Sequence, residues 1–381
     1  MNVAFWCGCA AALAVTVNLV SLVTASIRIR RRPASAAPEP VSIVRPVCGL
    51  EAFSEETLRA GFLLEGVEYE LIFCVARSDD PVVPLVRRLM AQYPHIPSRL
   101  IEGDVPISAN PKLNNCVAGW DAARHDWVVL ADSNVLMPRN YVQRLRASWR
   151  PDTGLVCSTP AGSRPDGFWA EVECAFLNSL QARWQYAGEA LGLGFAQGKS
   201  MLWWKPFLEE RGGIRALGAE IAEDAAATKL VRGAGLRVHL VDSPFEQPLG
   251  RREAAEVWFR QLRWARLRRV TFPLFFAPEL FSGAVLPAAG ASYAAFQYGH
   301  SPALAAALVL LLWWGPESLL ARRVGWFLSW RSPFAYAARD LAVIGMWVSA
   351  WVAAEIVWRG NVMTITTKPG AAQVSADGSA A

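Results

Sequence analysis

The chain has 381 residues, of which 53% are hydrophobic and 19% are charged, and its mean hydropathy is +0.21. This composition excludes a mainly disordered chain and is too apolar for an ordinary soluble protein. The formal net charge of +5 is the difference between 38 basic and 33 acidic residues, and the basic residues are 33 Arg and only five Lys, a balance that suits phosphate and anionic lipid. Nucleic acid is not an expected partner, because no zinc-finger spacing, basic helix pair or RNA-binding signature accompanies the charge.

The first 27 residues, 1–27, predict a membrane anchor. Residues 3–27 carry no charge and are long enough to cross the hydrocarbon core, which takes about 20 residues. A cleaved signal peptide has its positive charges before the apolar run, whereas here RIRRR follows it at 28–32. The positive-inside rule then places the N-terminus outside and the Arg cluster in the cytoplasm. The alternative is a buried helix of a soluble protein.

A basic, Pro-rich linker over 28–40 leads into a predicted α/β domain over 41–250. Strands are predicted in VSIVRPV, YELIFCVA, SRLIEG and HDWVVLADSN, and helices in PVVPLVRRLMAQY and at 112–124. Near-continuous apolar strands that alternate with helices are typical of a mostly parallel sheet covered on both faces. In such sheets, ligands bind beyond the carboxyl ends of the strands. The sequence lacks the dinucleotide and P-loop fingerprints.

Two acidic turns follow predicted strands. Asp132 ends the run WVVLA, where its carboxylate can coordinate a divalent cation that bridges the two phosphates of a nucleotide sugar; an Asp there can equally cap the next turn. Asp80 either contacts a nucleotide or forms a turn, since the Asp-Pro pair is common in turns. Lys112, in NPKLNN, is a phosphate-binding lysine at a helix start or a solvated one. A zinc site is not indicated, because the seven Cys and four His are scattered.

The segment 212–241 contains three acids near a predicted helix start, followed by a strand from Arg237. Glu220, Glu223 and Asp224 are all placed where the helix dipole favours a carboxylate. The functional alternative is that one of them deprotonates an acceptor hydroxyl, a role that contributes about 10² to 10⁴ in rate. Their spacing does not choose among the three.

Residues 251–272 predict an Arg-rich helix. Arg260, Arg263 and Trp264 share one helical face because they are spaced i, i+3 and i+4. Two guanidinium groups there can hold a departing pyrophosphate, with Trp264 as a wall of the acceptor pocket. The alternative is an interfacial amphipathic helix whose Arg side chains meet anionic headgroups. Different faces of one helix can serve both roles.

The C-terminal region 273–359 predicts about three further membrane spans, at 278–298, 302–320 and 341–358. Four Arg lie between the last two, whereas the link between the first two carries no Lys or Arg. The distribution of Lys and Arg between the predicted spans is therefore consistent with four spans in total and with a cytoplasmic location of the α/β domain. The tail, 360–381, has the small polar composition of a disordered end.

These motifs resemble those of the ceramide glucosyltransferase family, membrane-bound inverting enzymes with a GT-A catalytic domain and the motif string D, D, D, (Q/R)xxRW. The matching residues are Asp80 in SDDP, Asp132 in ADSN, Asp224 in IAED and RQLRW at 260–264, and NPKLNN at 110–115 matches a further signature of the family. The resemblance implies a GT-A fold for 41–250, in a bacterial member of the family.

The resemblance also implies roles for these residues. Asp80, Lys112 and Asp132 bind the nucleotide sugar, with Mg²⁺ or Mn²⁺ on Asp132. Asp224, rather than Glu223, is the general base, and the diphosphate and the acceptor are handled by Arg260, Arg263 and Trp264. Two features depart from the family. The DSN turn leaves Asp132 as the only carboxylate of its motif on the metal, and Gln181 stands where animal members have a His, which leaves the acceptor open.

The implied reaction moves a hexose, glucose from UDP-glucose, to the primary hydroxyl of a membrane lipid. The expected partners are therefore a UDP-sugar donor and a lipid acceptor, with ceramide as the first expectation and diacylglycerol or a hopanoid alcohol as the alternative. A non-catalytic membrane scaffold that binds a nucleotide sugar is the alternative from another class. The excess of Arg over Lys and the absence of retention signals favour a bacterial inner membrane with the catalytic domain in the cytoplasm.

Overall fold

The structure is a computed structural model that describes residues 2–29 and 39–352, and the backbone of 355–358 and 361–364. Most of the predicted linker and the tail beyond 364 lie outside the described residues.

The described chain forms two compact units. The sheet unit contains residues 39–160 and 191–248 together with the two short C-terminal strands, and the helical unit contains residues 2–29, 161–190 and 249–352. The stretch 41–250 therefore contributes to both units.

The sheet unit is built on seven strands: β1 (Val41–Val47), β2 (Tyr69–Val75), β3 (Ser98–Glu102), β4 (Trp127–Ala131), β5 (Thr153–Ser158), β7 (Ser200–Trp204) and β8 (Arg237–Leu240). Their order in the sheet is β3-β2-β1-β4-β7-β5-β8. The pairs β3–β2, β2–β1, β1–β4 and β5–β8 are parallel, whereas β7 is antiparallel to β4 and β5. The predicted, mostly parallel sheet is confirmed, and β5 and β7 are the strands of this sheet that the sequence patterns did not indicate.

Six helices accompany this sheet: α2 (Ser54–Ala60), α3 (Val83–Gln92), α4 (Pro111–Ala122), α5 (Tyr141–Ala147), α8 (Lys205–Glu209) and α9 (Glu223–Gly233), with 3₁₀ turns at Gly61–Leu63 and Gly213–Ala219. Every residue of β1 and β2 is buried, which explains their continuous apolar character. Helix α4 packs closely on them at Gly119, where a Cβ would lie 2.4 Å from the Sγ of Cys74. A glycine permits this approach because it has no side chain.

The helical unit contains α1 (Val3–Arg28), α6 (Phe168–Ala175), a π-helix (Phe176–Ala182), α7 (Arg183–Ala190), α10 (Ala254–Thr271), α11 (Pro273–Phe276), a 3₁₀ turn (Ala277–Phe281), α12 (Val285–Gln297), α13 (Pro302–Val324) and α14 (Ser332–Val352). Strands β6 (Pro160–Asp166) and β9 (Phe245–Arg251) form a two-stranded sheet, and β10 (Glu355–Trp358) pairs antiparallel with β11 (Asn361–Thr364).

Two helices of the described chain, α1 and α13, are long and apolar enough to cross a membrane. A third candidate is the pair Pro273–Phe281 and Val285–Gln297, which is bent by 51°. The predicted span 341–358 is not among them: α14 ends at Val352, and residues 355–358 form β10. The described residues therefore support two or three spans rather than the predicted four.

A cluster of charges is enclosed within the helical unit, which explains why α14 differs from a simple span. Arg339 and Asp340 of α14 are buried and lie 2.7 Å apart, and Arg339 also pairs at 3.0 Å with Glu317 of α13. Arg183 lies 3.7 Å from the other oxygen of Glu317. Asp340 accepts hydrogen bonds from the amide of Ala284 (2.8 Å) and the indole of Trp314 (3.0 Å). Two basic and two acidic groups thus neutralise one another between helices.

We expect Glu317→Gln to destabilise the helical unit, because it removes the acidic partner of buried Arg183 and leaves two buried guanidinium groups with Asp340 as their only carboxylate. Removing one partner of a buried ion pair costs about 3–5 kcal/mol. Thermal unfolding of the purified protein in detergent measures the change. The control is Glu279→Gln, which breaks the more exposed pair with Arg268, a class of contact worth about 0–1 kcal/mol. Equal midpoints for the two variants would contradict a stabilising role for the cluster.

Candidate active site

Asp132 is the first residue after β4, at the carboxyl end of a central strand of the sheet. Its amide donates to the carbonyl of Lys199 at 3.0 Å. Its two carboxylate oxygens face two different ammonium groups, that of Lys112 at 2.6 Å and that of Lys199 at 2.9 Å. The predicted position at a strand end is therefore combined with two basic partners.

Lys112 lies at the start of α4, where the NPK sequence sets the helix terminus. The side-chain oxygen of Asn110 caps the helix by accepting from the amides of Lys112 (3.0 Å) and Leu113 (3.2 Å), and Pro111 occupies the first turn, where its missing N–H costs nothing. Because the helix begins here, the ammonium of Lys112 lies mostly buried in the site rather than in solvent.

The Lys112 ammonium is saturated by three acceptors. The Asp132 carboxylate, the Glu223 carboxylate and the carbonyl of Gly198 each lie 2.6 Å from it. A lysine has three N–H donors, so each acceptor corresponds to one donor. Asp132 and Glu223 raise the pKa of Lys112 even though burial alone would lower it. The cation therefore stays charged and joins α4, β4 and α9.

Helix α9 begins with the two neighbouring acids, and they have different environments. Both carboxylate oxygens of Glu223 are engaged: one pairs with the ammonium of Lys112, and the other accepts a hydrogen bond from the side-chain amide of Asn110 at 2.6 Å. Asp224 instead accepts a long hydrogen bond, 3.3 Å, from the amide of Gly198. Glu220 precedes the helix and pairs with Lys229 at 2.7 Å. Of the three predicted acids, the structure places Glu223 and Asp224 in the site.

Asp224 and Asp132 differ in pKa because their surroundings differ. Burial, followed by the nearby charge of Glu223, raises the pKa of Asp224 to about 6. Burial would also raise the pKa of Asp132, but Lys112 and Lys199 lower it to about 2. A carboxylate with a pKa near 6 is suited to accept a proton at neutral pH, whereas one near 2 stays charged.

Asp80 lies in the turn after β2 and organises the loops there. Its carboxylate accepts from the amide of Gly49 at 2.8 and 3.1 Å and from the amide of Val82 at 2.9 Å. These contacts correspond to the turn role that the sequence allowed. Contact with a nucleotide stays a prediction.

Several residues of the site were not identified from the sequence. Lys199 and Gly198 directly precede β7, the unpredicted antiparallel strand. Arg45 is fully buried in β1 and donates to the carbonyl of Thr57 at 2.9 Å. It also donates to the carbonyls of residues 132, 133 and 135 at 3.1–3.3 Å, and these hydrogen bonds hold the turn that contains Asp132 in place. An arginine inside the apolar run VSIVRPV was the available signal, because such a residue is rarely buried without a specific partner.

The RQLRW residues belong to the helical unit, on α10. Arg260 donates to buried Glu173 at 2.7 Å, and Trp264 packs on the apolar cluster of Cys174, Leu177 and Leu249. Arg263 lies on the same helix one turn after Arg260. Gln181 of the π-helix donates to Gln261 at 2.7 Å, so the position that departs from the family contacts this motif.

The turn after β4 has the chemistry of a partial cation site. Asp132 and the side-chain oxygen of Asn134 are hard oxygen donors of the kind that Mg²⁺ and Mn²⁺ prefer. Within residues 2–29 and 39–352, no group of three or more His, Cys, Asp or Glu side chains is placed to hold a metal ion. The residues therefore fit a cation that takes its other ligands from water and from the phosphates of a bound nucleotide.

Residues 6–371 match glycosyl transferase family 21. The chain belongs to this family. Ceramide glucosyltransferases 3 and 1 of Caenorhabditis elegans are each 25% identical to it, over 91% and 90% of this chain and 77% and 76% of their own length. A ceramide glucosyltransferase of Komagataella phaffii is 33% identical over 107 residues, 27% of this chain and 21% of its own. The resemblance seen in the motifs is thereby confirmed, and the family 21 chain is a glycosyltransferase.

A solved structure confirms the fold class. Mannosyltransferase PcManGT from Pyrobaculum calidifontis, in complex with GDP-Man and Mn²⁺, superposes with a TM-score of 0.52 at 16% identity, over 91% of this chain and 99% of that one. The family 21 protein therefore has the predicted GT-A-like α/β fold.

We expect Gly198→Ala to disrupt the site of this family 21 protein. An added Cβ would lie 2.6 Å from the Glu223 carboxylate and 3.0 Å from the Lys112 ammonium, so the ion pair must shift. A misplacement of about 1 Å in an active site costs about 10² in rate, and glycosyl transfer in membranes measures it. The control is Gly233→Ala at the end of α9, where nothing lies within 4 Å of an added Cβ. Equal activities of the two variants would contradict the importance of this packing.

Proposed function

We propose that this protein transfers glucose from UDP-glucose to the primary hydroxyl of a membrane lipid, with ceramide as the acceptor, and inverts the anomeric carbon. The observation that carries the proposal is the partly buried Asp224 carboxylate at the start of α9, beside the Lys112 network, whose pKa is raised to about 6. Membership of family 21 and the ceramide glucosyltransferases of Caenorhabditis elegans among its relatives support the donor and acceptor classes. The apolar helices α1 and α13 support a membrane location, and we place the protein in a bacterial inner membrane with the sheet unit in the cytoplasm.

In the proposed reaction, Asp224 takes the proton of the acceptor hydroxyl while that oxygen attacks the anomeric carbon. The bond between this carbon and the diphosphate oxygen breaks, and UDP leaves. A single displacement of this kind gives a β-glycoside. Glu223 does not serve as the base, because both its oxygens are engaged by Lys112 and Asn110; its charge instead helps to keep the pKa of Asp224 high.

The other predicted residues keep their roles within this proposal. Asp80 helps to hold the nucleotide sugar, and Asp132 is the carboxylate that holds Mg²⁺ or Mn²⁺ on its diphosphate. Lys112, whose three donors are engaged within the protein, contributes to nucleotide-sugar binding by fixing Asp132. When bound, such a cation neutralises charge that develops on the leaving diphosphate. For the RQLRW motif we propose contacts with the diphosphate and the acceptor, from Arg260, Arg263 and Trp264.

The experiment is a membrane assay with UDP-glucose in which ceramide, diacylglycerol and a hopanoid polyol are offered side by side and the product lipid is identified by mass. We expect glucosylceramide to dominate. Product from another lipid alone would reject ceramide and keep glucosyl transfer, and the contact of Gln181 with the RQLRW motif would then be the place to look for the cause. No new glycolipid would reject the proposal in favour of a binding scaffold.

The same assay tests the base. Asp224→Asn removes proton acceptance with little change in size, so we expect turnover to fall by about 10² to 10⁴. Asp121→Asn is the matched control, because Asp121 forms an exposed pair with Arg215 elsewhere in the sheet unit. If Asp224→Asn keeps more than about a tenth of wild-type turnover, Asp224 is not the general base.

A further inference from the structure

Lys199 occupies a particular position in the turn after β4. Its ammonium lies 2.9 Å from one carboxylate oxygen of Asp132 and 3.1 Å from the side-chain oxygen of Asn134. These are the two side-chain oxygens that the Asp-Ser-Asn turn directs to one point. A cationic group therefore already bridges the atoms that would bind a divalent cation.

The pair of oxygens is suited to a metal as well as to an ammonium. Carboxylate and amide oxygens are the donors that Mg²⁺ and Mn²⁺ prefer, and a lysine ammonium is a compact point charge that meets the same acceptors. One charge on Asp132 cannot hold both cations at the same oxygen without strong repulsion between them. Binding of a metal here therefore requires Lys199 to move away.

The two lysines at Asp132 differ in how firmly they are held. Lys112 meets three acceptors at 2.6 Å and extends from the capped start of α4. Lys199 meets two acceptors at longer distances, from the residue that precedes β7. If Lys199 leaves, Asp132 still keeps Lys112 on its other oxygen. Lys199 is therefore the ammonium that can be exchanged at low cost.

We propose that Lys199 is a tethered counter-ion that holds the cation position when no donor is bound and yields Asp132 and Asn134 to the divalent cation that accompanies the nucleotide sugar. The proposal rests on the proposed function for the class of donor. Its consequence is that cation and nucleotide bind together: the metal alone competes with a built-in ammonium, whereas the diphosphate supplies the additional ligands that the described residues lack.

The test is direct binding of Mn²⁺ to the purified full-length protein in detergent, followed by the electron paramagnetic resonance signal of free Mn²⁺, with and without UDP. Without UDP, we expect Lys199→Met to bind Mn²⁺ at least about tenfold more tightly than wild type, because a charge-assisted competitor is gone. UDP should raise the Mn²⁺ affinity of wild type and variant alike, because the diphosphate supplies further ligands to the cation in both. Lys199→Arg, which keeps the charge, should bind as weakly as wild type.

The control is Lys229→Met, which removes one positive charge from the exposed pair with Glu220 and should leave Mn²⁺ affinity unchanged. Lys199→Gln gives a second neutral variant in case Lys199→Met does not fold. Equal Mn²⁺ affinity of wild type and the neutral variants, or no binding by any of them with UDP, overturns the proposal. Neither result depends on which lipid is glycosylated, so a failure here is distinct from a failure of the proposed reaction.

Discussion

The ion pairs of Lys112 are the interaction on which the site depends. One mostly buried ammonium is held by Asp132 after β4, by Glu223 at the start of α9 and by the carbonyl of Gly198, each at 2.6 Å. These groups come from parts of the chain up to 111 residues apart, and a buried charge is tolerated only when such partners surround it. The site is therefore complete only when these distant segments of the sheet unit are folded against one another.

The same network gives two neighbouring acids different chemistry. Glu223 is fully engaged and acts as a fixed negative charge, whereas the partly buried Asp224 has its pKa raised to about 6. Asp132, next to two ammonium groups, has its pKa lowered to about 2. A proton acceptor and a permanently charged ligand thus arise from one residue type, because their surroundings differ. This division matches the needs of glycosyl transfer, in which a hydroxyl loses a proton near a charged diphosphate.

Patterns within short stretches of the sequence predicted the features that depend on neighbouring residues. The apolar runs gave β1, β2 and β4, and the acidic turns after them, with the family motifs, indicated Asp80, Asp132 and Asp224. The patterns did not reveal Lys199, because it reaches Asp132 only when β7 pairs antiparallel with β4, a contact between distant segments. The predicted span 341–358 also differs in its bounds from α14, Ser332–Val352. Hydropathy gave no sign that the helix begins before Arg339 and Asp340, because the groups that pair with these charges belong to distant segments.

The pH dependence of turnover in wild type and Glu223→Gln shows whether Asp224 is the base and whether the charge of Glu223 raises its pKa. The base must be unprotonated, so the wild-type rate should fall as pH drops through about 6, the pKa of Asp224. Removing the Glu223 charge takes away a cause of the raised pKa, and the acid limb should move to lower pH. A wild-type rate that does not fall near pH 6 would show that Asp224 is not the base, and a fall at the same pH in Glu223→Gln would show that Glu223 does not raise its pKa.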